Sequence, residues 1–200
     1  KYSKGFRVVV PKLAKSAATM IALGADEILL GETSELGPID PQMLYIDQNG
    51  RFVRKSAYSI INGVKELIQE IVNLKNNPRV EGYLSLMPRI DQAFIKECEI
   101  AQKLSEDIVI NFLKKTTYPA LPETKDEAEK IYQSALSTIQ QGQALPTKMT
   151  SIEEKIEIFL NPEKTLSHGR GIMFDEAKEI GLNIKLIKKR EVLKHLLNLY

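Results

Sequence analysis

Cysteine is almost absent. Cys98 is the single one in 200 residues, so no disulfide can close within the chain. Histidine is nearly as scarce, at two residues, which leaves too few ligands for a Cys/His zinc cluster. An excess of either charge is also missing. Lys plus Arg is 28 against 26 for Asp plus Glu, a formal net charge of +2. That balance gives no general electrostatic case for nucleic acid or an anionic membrane. Long apolar runs are lacking as well. The longest, Ala17 to Ala25, is too short to span a bilayer. No signal peptide is visible. The chain opens on Lys1 rather than Met, so we expect further sequence before it, and any targeting segment with it.

What is present suits an ordinary globular domain. The chain is 43% hydrophobic and 27% charged, which is enough apolar material for a real core. Phe6 to Val10 is a short β-branched run stopped by Pro11 and predicts a buried strand. Small and apolar residues from Ala14 to Leu23 predict a tightly packed helix, closed by Gly24. Glu27 to Leu30 predicts a second strand, ended by Gly31, and Ser34 to Gln42 carries turn chemistry, with one Gly and two Pro. Ile46 to Val53 predicts a hairpin around Asn49-Gly50.

The second half is more helical. Apolar residues at 60, 61, 64, 67, 68, 71 and 72 lie on one face of a helix over 59–74. Residues 90–113 repeat the pattern, and residues 123–140 predict a more polar helix. Ser151-Ile-Glu-Glu154 is a capping box opening a helix to Leu160. One or two turns over 175–180, a strand over 183–187 and a basic tail helix to Tyr200 complete the chain. Short strands alternating with helices imply an α/β protein with a mainly parallel sheet. We read one domain over 1–200, with its core in 1–57 and 166–187. Residues 59–165 form a helical arm, and 188–200 a basic tail.

The chemistry concentrates in the first forty residues. Ser16 sits where a strand gives way to a small-residue helix. Backbone N–H groups and the helix dipole favour negative charge there, which suits an attacking alkoxide or an oxyanion. A serine at that point also makes an ordinary N-cap. No G-x-S-x-G is present, so the α/β-hydrolase elbow is not supported. Asp26, in G-A-D-E-I, reads as pinning a helix–strand turn, and Cys98 as a small buried residue.

Residues 11–42, P-K-L-A-K-S-A-A-T-M-I-A-L-G-A-D-E-I-L-L-G-E-T-S-E-L-G-P-I-D-P-Q, closely resemble the serine dehydrogenase proteinase family. That family is related to signal peptide peptidase A within the ClpP/crotonase superfamily. Residues 166–184, L-S-H-G-R-G-I-M-F-D-E-A-K-E-I-G-L-N-I, look like its closing segment. The resemblance implies a spiral of ββα units, a serine peptidase and a homo-oligomer, with a peptide or protein substrate and no cofactor. Ser16 matches the nucleophile. In the superfamily, part of the oxyanion hole comes from a glycine pair upstream of the nucleophile. None precedes Ser16 here, so we expect the first part of the fold to lie outside this chain.

The proton acceptor stays open. ClpP-like chains place a His about 25 residues after the serine and an Asp later. Here Asp40 stands 24 residues after Ser16, and His168 falls near the later position, so the two residue types read as exchanged. Triad chemistry depends on geometry and not on chain order. Ser16 with His168 as base and Asp40 as orienting carboxylate is one arrangement. Signal peptide peptidase A-like enzymes use a lysine, for which Lys55 is the candidate and Lys65 the remoter one. A lysine base needs its ammonium destabilised. Asp40, between Pro38 and Pro41, serves equally as a turn residue, and Lys55 equally as an exposed strand-end lysine. Three other functions stay open: a crotonase-like acyl-CoA enzyme, a non-catalytic assembly protein of the same fold, and a membrane-associated regulatory module using the basic tail residues Lys185, Lys188, Lys189, Arg190 and Lys194. We expect a cytoplasmic protein, with membrane association through a preceding segment as the variant, and no nucleic-acid partner.

Overall fold

The computed structural model of the chain describes residues 5–47, 49–138, 144–161 and 170–188. In chain order the elements are β1 (Arg7–Val10), β2 (Leu13–Ala14), α1 (Ala17–Leu23), β3 (Glu27–Gly31), β4 (Glu35–Leu36), β5 (Gln42–Ile46), β6 (Phe52–Ser56), α2 (Ala57–Asn73), α3 (Val80–Leu84), α4 (Gln92–Lys115), α5 (Lys125–Ser137), α6 (Ile152–Leu160), α7 (Phe174–Glu179) and β7 (Ile184–Ile187). The protein is a mixed α/β chain in two compact units, Lys1–Ile39 with Glu106–Tyr200, and Asp40–Ser105.

The first unit is built on a parallel sheet ordered β1-β3-β7, with Val8 opposite Ile28 and Ile28 opposite Ile184. Two neighbouring parallel strands need a crossover, and α1 lies in the one from β1 to β3. From Ile28 to Leu30 β3 is apolar without a break because both of its faces are covered. Ile28 and Leu30 enter the main core, while Leu29 meets Val9 and Ile187 in a smaller cluster. The main core adds Leu23 from α1, Val109 and Leu113 from the end of α4, Ile152, Ile156 and Phe159 from α6, and Ala177 from α7. At the start of β3, Glu27 bridges Arg7 at 3.1 Å and Lys185 at 2.5 Å, one cation from each flanking strand. These cations hold its carboxyl below the ordinary value, the hydrogen bond from Lys185 most of all.

A second, two-stranded parallel ladder joins β2 to β4, pairing Leu13 with Glu35 and Ala14 with Leu36. Leu36 also exchanges hydrogen bonds with Ile172, at 3.0 and 2.6 Å. This ladder corrects two expectations. The helix predicted from Ala14 begins at Ala17 because Leu13 and Ala14 are taken by Glu35 and Leu36. The turn-rich stretch 34–42 contains β4 for the same reason.

In the second unit β5 and β6 form an antiparallel hairpin, with Leu44 opposite Arg54 and Ile46 opposite Phe52. It is longer than the predicted 46–53 and turns at Gly50, whose φ of 74° suits glycine. Ala57, Ile61 and Cys98 form a small core with Met43, Ile60 and Phe94 against it. The predicted capping box holds at α6, where Ser151 and Glu154 bond each other's backbone amides. The tail helix expected to Tyr200 lies outside the described residues from residue 189 on. Among the described residues no helix is long and apolar enough to cross a membrane.

Candidate active site

β2 hands the chain to α1 through a tight turn. The Lys15 carbonyl accepts the Ala18 N–H at 3.1 Å, which puts Ser16 at the first central position of a four-residue turn. Its angles, φ 53° and ψ −121°, are those of the II′ form, which normally calls for glycine. Among the described residues Ser16 is the only non-glycine residue at positive φ. Such a conformation costs about 1–3 kcal/mol and persists only where the surroundings over-determine it. Here they do. The Ser16 N–H donates to the Pro38 carbonyl at 2.9 Å, and the Gly37 N–H donates to the Ala14 carbonyl at 2.8 Å. The buried Thr19 adds a hydroxyl that donates to the Ala14 carbonyl at 2.6 Å and accepts from the Gly37 N–H at 3.2 Å.

The Ser16 side chain is exposed and stands at the N-cap of α1, yet makes no capping hydrogen bond. The expectation of an ordinary N-cap therefore fails, and comparison shows why. Ser56, Thr124 and Ser151 cap α2, α5 and α6 from extended backbone, each accepting an N–H three residues on. That is how a capping hydroxyl reaches back over the first turn. At φ 53° Ser16 is not in that conformation. The exposed residue thus keeps a non-capping hydroxyl at the positive end of the helix dipole.

Other residues shape the neighbourhood. Lys15 pairs with Glu35 at 3.0 Å. The stem of Lys15 lies over Gly37, where an added Cβ would stand 2.6 Å from Lys15 Cγ. The Glu35 side chain likewise fills the space a Cβ on Gly171 would need. Two glycines thus leave room for the ion pair beside the serine turn. Among the described residues no group of three or more His, Cys, Asp and Glu is placed to hold a metal ion.

The remaining predicted residues are found as follows. Asp40 belongs to the second unit and is buried, and its Oδ1 accepts the Tyr58 N–H at 3.0 Å in the first turn of α2. Lys55, also of the second unit, is exposed on β6, with Nζ 5.9 Å from the centroid of the Tyr45 ring. Lys65 is exposed on α2. His168 lies outside the described residues. Asp26 does pin the turn before β3. Its Oδ2 accepts the Phe6 N–H and its carbonyl accepts from Asn183 Nδ2, both at 2.5 Å. Cys98 is buried, and its thiol titrates above the ordinary value through desolvation first and the nearby Glu97 second. Thr19 and Gly37 were missed in the sequence. The available signal was a single hydroxyl inside the run A-A-T-M-I-A-L.

Fold and turn together define a class: a mixed α/β protein presenting one exposed serine on a strained strand-to-helix turn. Residues 1–66 match the family of ClpP-like SDH-type serine proteinases, the family that residues 11–42 resemble. A segment of 37 residues is 54% identical to an uncharacterized protein of Methanocaldococcus jannaschii, covering 18% of this chain and 13% of that protein. The chain thus spans only a small part of this relative's length. No solved structure matches the chain. At the level of the family, the match supports a serine peptidase.

Proposed function

We propose that this protein is a serine peptidase working through an acyl-enzyme on Ser16. The observation that carries the reading is the backbone of Ser16: an exposed serine held at φ 53° and ψ −121° with its hydroxyl withheld from capping. Strain of this kind collects where a side chain must be aimed. A serine hydroxyl is a weak nucleophile until a base takes its proton, and we assign that role to His168. The oxygen then attacks a peptide carbonyl, the amine leaves with the proton, and water releases the acyl group. The amides at the start of α1 would favour the oxyanion. Asp40 as the orienting group and Lys55 as the alternative acceptor are retained as parts of the proposal, to be decided by substitution. Assembly into a homo-oligomer is supported by the resemblance and by the exposed Ile68, Val72, Ile100 and Leu104 of α2 and α4.

The test is hydrolysis of a library of peptide esters and amides by the wild-type protein and by Ser16→Ala. The reading expects turnover in the first, with an acyl-enzyme burst, and none in the second. Equal turnover by both would exclude a nucleophilic Ser16 and favour an acyl-CoA enzyme that uses only the fold's amides. No turnover of any substrate by the wild type would favour an assembly protein.

A further inference from the structure

We infer that Thr19 is the positioning residue that holds Ser16 in its strained conformation, and so sets the reactivity of the serine. The second half of this statement rests on the reading of Ser16 as a nucleophile, whereas the first half does not.

A threonine within a helix ordinarily turns its hydroxyl back to the carbonyl three or four residues earlier. For Thr19 those are the carbonyls of Ser16 and Lys15. It takes neither. Its Oγ1 donates to the carbonyl of Ala14, five residues back and outside the helix, at 2.6 Å. The same oxygen accepts the Gly37 N–H at 3.2 Å. One hydroxyl therefore ties the second residue before Ser16 to the third residue after it, and fixes both to Gly37, the residue that follows β4. Ser16 is the apex of the loop so closed. The Gly37 N–H is shared between Ala14 O, at 2.8 Å, and Thr19 Oγ1. The next carbonyl along, that of Pro38, receives the Ser16 N–H at 2.9 Å. Thr19 is fully buried, so water cannot take over either bond. The side chain is too far inside to touch a substrate, and its action on the reaction passes through the Ser16 backbone alone.

Two substitutions separate positioning from packing. Thr19→Val keeps the shape and removes both hydrogen bonds. Thr19→Ser keeps the hydroxyl and loses a methyl group. Crystal structures of the full chain carrying each change report the Ser16 φ directly. In the valine variant we expect φ to leave the positive range and the Ser16–Pro38 bond to break; in the serine variant both remain. The second readout is the labelling of Ser16 by a fluorophosphonate, followed by mass spectrometry and split into binding and reaction steps. A displaced attacking atom can lose roughly a hundredfold in rate. Thr19→Val should show a loss of that order in the reaction step with the binding step unchanged, and Thr19→Ser should restore it. Thermal melting shows whether each variant is folded; if the valine variant does not fold, the serine variant alone must match wild type in φ and rate. A Ser16 φ still near its wild-type value in a folded Thr19→Val overturns the inference. If the wild type is not labelled, the nucleophile reading fails, and the crystal structures alone decide what holds Ser16.

Discussion

The backbone N–H of Ser16 donates to the carbonyl of Pro38 at 2.9 Å, so the residue that bends the chain into α1 is fastened to the segment leaving β4. This bond crosses 22 residues of sequence, and it makes the strain at Ser16 a property of the fold and not of the local peptide.

Substitution of Ser16 itself separates strain from chemistry. Glycine accepts φ 53° freely, whereas alanine keeps the Cβ that makes it costly. Relief of about 1–3 kcal/mol outweighs the roughly 0.5–1 kcal/mol of extra chain entropy that glycine loses on folding. Ser16→Gly is therefore expected to be more stable than Ser16→Ala by about 1 kcal/mol in urea denaturation, with both inert toward serine reagents. A glycine variant less stable than the alanine variant contradicts the strain argument.

Gly37→Ala tests the crowding beside the turn. The new Cβ would meet Lys15 Cγ at 2.6 Å and Lys15 Cβ and Cδ at 3.1 Å, close to the backbone where the stem cannot swing away. Overpacking of this kind costs about 1–3 kcal/mol. Lys15→Ala in the same chain removes Cγ and Cδ and should recover most of that loss. A double mutant no more stable than Gly37→Ala would show that Lys15 is not the obstacle.

The pH dependence of stability has a clear sign at high pH. Burial raises the Tyr118 hydroxyl to about 12 from an ordinary 10, while its O–H donates to the Ile180 carbonyl at 2.7 Å. Between those values the unfolded chain loses the proton and the folded chain keeps it. Stability therefore falls as pH rises from about 10 to 12. Tyr118→Phe has no such proton. Its stability difference from wild type should be constant below pH 10 and should shift in favour of the phenylalanine variant above it, as read by denaturant midpoints. Parallel curves across that range contradict the assignment.

The choice of base is read from rate against pH. A base must be free of its own proton to act, so the rate rises with pH through a limb that belongs to that base. We expect that limb in wild type and in Lys55→Ala, and its loss in His168→Ala. Asp40→Asn should lower the rate while keeping the limb, if the carboxylate orients the ring. A limb retained in His168→Ala and lost in Lys55→Ala would give the role to the lysine.

Much of the fold was legible because it is periodic or locally signalled. The apolar face at 60, 61, 64, 67 and 68 gave α2, S-I-E-E gave the start of α6, and Asn49-Gly50 gave the turn of the hairpin. β2 and β4 were not legible, since each has two residues and exists only because the other pairs with it from 22 positions away. α3 was missed because Pro78 and Gly82 punctuate a stretch whose helix buries none of its residues. At the site, the location of Ser16 was readable and its conformation was not. The II′ turn is held by hydrogen bonds to Gly37 and Pro38, which no window around Ser16 contains. For the same reason the sequence offered an N-cap where the structure has an idle hydroxyl.

The most direct measurement treats the full chain with a fluorophosphonate probe and locates the adduct by tandem mass spectrometry. The account predicts one modified serine, Ser16, with no adduct after heat denaturation or in Ser16→Ala. Native, folded protein in which Ser16 stays unmodified, or in which Ser16→Ala is labelled to the same extent as wild type, would contradict it.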